Sequence, residues 1–136
     1  MLKHFSKVRV RYADTDQMGF VYNGKYFEYF EVGRTEMMRD LGLPYRNLEA
    51  EGFMMPVHSA AIQYKNAAFY DEELEIETRV PELPVSKIRI EHTIRNLERG
   101  VVIVEGHIDL LFIKLETKRA CRPPGFFIDK LKHLYE

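Results

Sequence analysis

With a single cysteine, Cys121, the chain has no internal disulfide, and no CxxC or HxxxH spacing occurs among its cysteine and five histidines. That absence argues against a structural zinc site. An excess of either charge is missing as well: 20 basic residues stand against 21 acidic ones, for a net charge of -1. No general field exists to attract nucleic acid or an acidic membrane, so an anionic ligand must be held locally. Long apolar runs are lacking. No stretch approaches the roughly 20 apolar residues of a membrane span, and the opening "MLKHFSKVRV" has no apolar segment of signal-peptide length. The expectation is a soluble cytoplasmic protein with no membrane span. Repeats and low-complexity segments are absent, and 136 residues suit a single domain, 1–136, around one core.

What is present is strongly patterned. Residues 5–12, "FSKVRVRY", set Phe5, Val8, Val10 and Tyr12 against Lys7, Arg9 and Arg11, the period of a half-buried strand. From Asn23 the period changes: Tyr26, Phe30, Gly33, Met37 and Leu41 recur at steps of three and four, predicting an amphipathic helix of about five turns over 23–41. Asn23 suits its N-cap, Gly42 its C-cap, and Pro44 stops it. Further strands are expected at 56–66, at 73–80 ("ELEIETRV"), at 86–95 ("SKIRIEHTIR") and along 101–115, with a hairpin turn at 96–100 and a turn at 122–125 before a short terminal helix. One strand, one helix and then four strands read as α+β, with the helix covering the apolar face of an antiparallel sheet.

The helix begins directly after "RYADTDQMGFVYN". A helix N-terminus carries about half a positive charge and several unpaired N–H groups, so it favours an anion or a polarised carbonyl oxygen. Gly24 allows close approach there, Gly19 allows a turn, and Asp16 returns to the same place if the loop folds back. Together they would supply a carboxylate beside a carbonyl-polarising dipole, as acyl transfer requires. The plainer alternative is that aspartates ahead of a helix form turns and caps, and spacing alone favours it.

The residues "RYADTDQMGFVYNGKYFEYFEVGRTEMM" closely resemble the signature of the hotdog-fold acyl-CoA thioesterases of the 4-hydroxybenzoyl-CoA thioesterase family, including its Tol-Pal-associated branch. "QYKNAAFYDEELEIETRV", "VSKIRIEHTI" and "KRACRPP" extend the resemblance over nearly the whole chain. It implies a hotdog fold: one long helix wrapped by a five- to six-stranded antiparallel sheet. It also implies hydrolysis of an acyl-CoA thioester without a cofactor, coenzyme A being part of the substrate. Asp16 falls on the family's catalytic carboxylate, and the backbone N–H of Asn23 on the group that polarises the thioester carbonyl. Asp14 is left to the turn. Two departures stand out. Many members of the Tol-Pal-associated branch have His where this chain has Asn23, and the family's Pro in Y-x-x-P-A is Ala67. The resemblance further implies a homodimer and, beyond it, a homotetramer, and the exposed edge of the sheet asks independently for a covering strand.

Tyr12, Val21 and Tyr22 flank the aspartate loop and are candidate substrate contacts alongside Gly19 and Gly24, although aromatics at strand ends also serve packing. Ser86 sits where the family has a small polar residue near the ligand. The phosphates of coenzyme A call for basic side chains, for which Lys65, Lys87, Arg119 and Arg122 are the candidates. Alternation also explains Lys87 and Arg89 as the wet face of a strand. His58 and His92, on apolar-patterned strands, are expected inside.

Overall fold

The computed structural model describes all of residues 1–136. In chain order β1 is Leu2–Arg9, α1 Lys25–Asp40, α2 Tyr45–Ala50, β2 Phe53–Met54 and β3 Val57–Tyr64. β4 is Glu73–Val80, β5 Ile88–Asn96, β6 Val101–Leu110, β7 Phe112–Lys114, β8 Arg119–Cys121 and α3 Gly125–Leu131. Single 3-10 turns occupy Tyr12–Asp14 and Lys132–Tyr135.

The main sheet has five antiparallel strands in the order β1-β4-β5-β6-β3. Alternation decides its faces. Leu74, Ile76, Thr78 and Val80 of β4 and Ile88, Ile90, His92 and Ile94 of β5 are buried, while Glu73, Arg79, Arg89 and Arg95 face away from them. α1 lies across the apolar face on β1, β4 and β5. It approaches closely at Gly33, where an added Cβ would meet Thr78 Oγ1 at 2.6 Å and Ile76 Cγ2 at 2.7 Å. Tyr26, Tyr29, Phe30, Met37 and Met38 bury the rest of that helix face.

Four expectations need correction. The helix spans 16 residues rather than the expected 23–41, and its N-cap is Gly24 with no side-chain cap bond; Asn23 lies one residue outside. The predicted strand over 101–115 breaks at Leu111, after which β7 turns away to join β2 and β8 in a second, three-stranded sheet. An apolar run conceals that break because the residues on either side of it, Ile108 to Leu110 and Phe112, are buried. The first strand lies at Leu2–Arg9 and not 5–12, because its end is taken by the 3-10 turn. Lastly, His58 is exposed on β3, not interior.

β3 is the free edge of the main sheet, and most of its residues are exposed. The opposite edge, β1, is tied to the end of the chain: the Tyr135 hydroxyl accepts the Leu2 N–H at 3.3 Å and donates to the Val80 carbonyl at 2.5 Å. No helix is long and apolar enough to cross a membrane.

Candidate active site

The aspartate loop folds back on itself as a narrow antiparallel pairing. Tyr22 N–H donates to the Asp14 carbonyl at 3.0 Å, Thr15 bridges Val21, and Asp16 N–H donates to the Phe20 carbonyl at 3.0 Å. Gly19 closes the turn with φ +86°, a conformation that a side chain would strain, and its N–H donates to the Asp16 carbonyl. Val21 anchors the return strand: it is buried, and its N–H reaches the Ala68 carbonyl at 2.9 Å.

The two carboxylates have unlike surroundings. Asp14 is 1% exposed. Its Oδ2 accepts the Arg11 N–H at 3.1 Å and the Tyr29 hydroxyl at 2.7 Å, and its Oδ1 lies 3.4 Å from Lys25 Nζ and 3.5 Å from Arg11 Nη2. Burial acts to raise its pKa, but these donors and cations outweigh it and hold the carboxyl below its ordinary value. Burial first, and then Asp14 itself, push the Tyr29 phenol up. Asp16 is half-buried. Its Oδ1 accepts the Met18 N–H at 2.8 Å, an Asx turn, while Oδ2 has no partner within the chain. Asp14 is therefore fully committed to the loop, and only Asp16 keeps an oxygen for other work.

α1 starts beside this loop. Lys25 N–H donates to the Tyr22 carbonyl at 2.9 Å and Phe27 N–H to the Gly24 carbonyl at 3.3 Å, whereas the N–H groups of Asn23 and Gly24 have no partner in the chain. They are among the orphan donors of a helix start. A cavity of about 210 Å³ opens there, with Phe20, Val21, Asn23, Tyr26, Tyr64 and Lys65 in its wall. Burial raises the Tyr26 phenol to about 12, so it stays protonated. At Gly24 an added Cβ would meet the Tyr22 ring at 2.9 Å; the missing side chain leaves room for that ring. Tyr22 and Tyr12 are exposed, Tyr12 packing edge-on against Tyr70 at 5.8 Å, and neither lines the cavity.

The basic candidates do not converge. Lys65 stands at this cavity, 3.5 Å from Glu105. Ser86 and Lys87 line a different, polar cavity of about 590 Å³ at the β4–β5 turn. There Lys87 Nζ lies 3.3 Å from the buried Asp109, which also takes Arg89 through two bonds at 2.8 and 2.9 Å and the Ser59 hydroxyl at 3.0 Å. Arg89 above all keeps the Asp109 carboxyl well below the usual range, and both cations of this cavity already share that one internal carboxylate. Arg119 and Arg122 are exposed on and just after β8, in the second sheet. Asp109 and Tyr64 escaped sequence reasoning, since their partners lie 20 or more residues away and leave no local pattern. His92 is interior as expected, stacked on Phe30 at 4.5 Å with Nδ1 3.1 Å from Thr78 Oγ1, and its Nε2 has no partner.

Residues 10–131 match the thioesterase-like superfamily. The chain belongs to that superfamily. Its resemblance to the hotdog thioesterases thus extends from motif to fold, and relatives of this thioesterase-like chain include the acyl-CoA thioesterase YbgC of Haemophilus influenzae, 40% identical over 85 residues, or 62% of each chain. Among solved structures it is similar to the hypothetical protein TT1821 of Thermus thermophilus, 31% identical with a TM-score of 0.89 and 98% of both chains covered. It is similar also to the DHNA-CoA thioesterase of Staphylococcus aureus, 30% identical with a TM-score of 0.89, covering 99% of this chain and 90% of that one. Matched stretches span 56%, 59% and 62% of the length of curated relatives from Bacillus subtilis, Aquifex aeolicus and Haemophilus influenzae.

Proposed function

We propose that this thioesterase-like chain hydrolyses acyl-CoA thioesters, with Asp16 as the reacting carboxylate and the N-terminus of α1 as the carbonyl-polarising group. The observation that carries the reading is the contrast between the aspartates: both Asp14 oxygens are held by Arg11, Lys25 and Tyr29, while Asp16 has a free Oδ2 on the loop that leads into two unpartnered N–H groups. Asp16 attacks the thioester carbon to give a mixed anhydride that water then cleaves, or it draws a proton from a water that attacks instead. In either course negative charge develops on the carbonyl oxygen, and the N–H of Asn23 is the donor that meets it. A thiolate leaves without protonation, so no partner acid is required. One helix wrapped by the sheet keeps the loop against the helix start. Tyr12, Tyr22, Val21, Gly19 and Gly24 shape that loop.

Dimerisation belongs to the same proposal. β3 is an uncovered edge strand with most of its residues exposed, which a second copy would cap. Arg119 and Arg122 remain for the phosphates of coenzyme A, with Lys65, whose partner Glu105 is at the surface, rather than Lys87, whose partner Asp109 is buried.

Release of thiol from acetyl-, decanoyl-, palmitoyl- and benzoyl-CoA by the purified protein tests the activity. The S. aureus neighbour's acyl group makes an aromatic thioester one member of that panel, and an acyl-carrier-protein thioester belongs beside it. A non-catalytic acyl-CoA-binding module is the second reading, favoured by the Asx turn that already occupies Asp16 Oδ1. Binding of coenzyme A with no turnover of any panel member would select it.

A further inference from the structure

The two free N–H groups at the start of α1, those of Asn23 and Gly24, belong to peptides whose carbonyls are both held. The Tyr22 carbonyl accepts the Lys25 N–H at 2.9 Å, and the Asn23 carbonyl accepts the Tyr64 hydroxyl at 3.2 Å. A trans peptide is planar, with C=O and N–H pointing in opposite directions. A donor that fixes the oxygen of one peptide therefore fixes where its N–H points. The same bond polarises the amide and strengthens that N–H as a donor, because hydrogen bonds in a chain reinforce one another.

We propose that Tyr64 is a positioning residue for the candidate active site, its hydroxyl aiming and polarising the Gly24 N–H as a second donor, beside that of Asn23, to the substrate carbonyl oxygen. The inference rests on the thioesterase reading above. Tyr64 is the last residue of the edge strand β3 and lies 41 positions from Asn23 in the chain. Its ring is nonetheless placed: it packs on Tyr26 at 5.8 Å, Tyr26 packs edge-on to Tyr29 at 5.9 Å, and the Tyr29 hydroxyl ends on Asp14. Tyr64 and Asn23 face the same cavity. One tyrosine row thus ties the helix start to the aspartate loop at one end and to β3 at the other.

Tyr64→Phe removes the hydroxyl and keeps the ring with its packing. The expected result is a fall in kcat of about ten-fold with KM within about two-fold and an unchanged melting temperature, the signature of an interaction used in the transition state. A second readout comes from the carbonyl itself. With Asp16→Asn holding the thioester that the wild type turns over fastest, labelled with ¹³C at the carbonyl, the bound C=O stretch lies below its value in water. Adding Tyr64→Phe is expected to move it back towards that value. A Tyr64→Phe kcat within two-fold of wild type, or an unshifted carbonyl, overturns the positioning role while wild-type turnover leaves the thioesterase reading standing. A wild-type protein that hydrolyses no panel member removes both.

Discussion

Removing the Tyr29 hydroxyl takes one strong donor from a buried carboxylate. Asp14 is 1% exposed, and the Tyr29 bond to it is 2.7 Å long, so solvent screening does little to weaken it. A buried hydrogen bond to a charged group contributes about 1.5–3 kcal/mol. The Arg11 N–H still reaches Oδ2 after the change, so the carboxylate is not orphaned, and Tyr29→Phe is expected to cost about 2 kcal/mol at neutral pH. For a domain of this length that is a fall in melting temperature of roughly 7 °C. The cost should depend on pH in one direction. Asp14 has a folded pKa below the ordinary 3.8, so it stabilises the fold above that value and loses its contribution as pH falls through the folded pKa. Tyr29→Phe raises the folded pKa, so the wild-type advantage shrinks as pH drops from about 4 towards the wild-type value. Urea unfolding of both proteins at pH 7 and near pH 3 measures it. A difference below about 0.5 kcal/mol at pH 7, or one that widens on acidification, would refute the account of Asp14 as the loop's ionised anchor.

Gly33→Ala gains about 1 kcal/mol of helix propensity but drives a methyl into Thr78 and Ile76, where overpacking costs about 1–3 kcal/mol; net destabilisation by thermal unfolding is expected, and a more stable variant would show that α1 is free to lift. Arg89→Ala, which strips two bonds from the buried Asp109, should lower the melting temperature more than Lys87→Ala, which removes one longer contact; the reverse order would mean that Lys87 is the principal counter-ion. Burial, with Arg34 and Arg79 adding to it, pushes His92 down to about 3, so its imidazole proton resonances should not titrate between about pH 5 and 8. A transition in that range would place His92 in contact with water.

The parts of this fold that read directly from the chain are those with local causes. β4 alternates in sequence, and Leu74, Ile76, Thr78 and Val80 are buried as the period selects; Glu77 is the one exception, buried on the other face between Arg79 and Arg95. Gly42, with φ +77°, ends α1 where the sequence marks a stop. The misplaced features depend on distant partners. Asn23 loses the N-cap to Gly24 because the Lys25 N–H bonds the Tyr22 carbonyl and delays the helix. The short strands β2, β7 and β8 exist only through one another. At the candidate site, the motif singles out Asp16 and the helix start, and the Asx turn and buried Asp14 cluster add the reason the two carboxylates differ. Neither the Tyr64 hydroxyl on the Asn23 carbonyl nor the Asp109 cluster has any signal in a window of neighbouring residues. Lys87 illustrates the converse: basic and well placed in sequence, it already shares the buried Asp109 carboxylate with Arg89.

Asp16→Asn tests the central claim most directly, because it keeps an oxygen to accept the Met18 N–H and removes only the charge and basicity of the group. Hydrolysis of the preferred acyl-CoA, followed by thiol release, should fall by about a hundred-fold or more in kcat, with coenzyme A still bound and the melting temperature retained. Wild-type turnover in a folded Asp16→Asn protein would contradict the account.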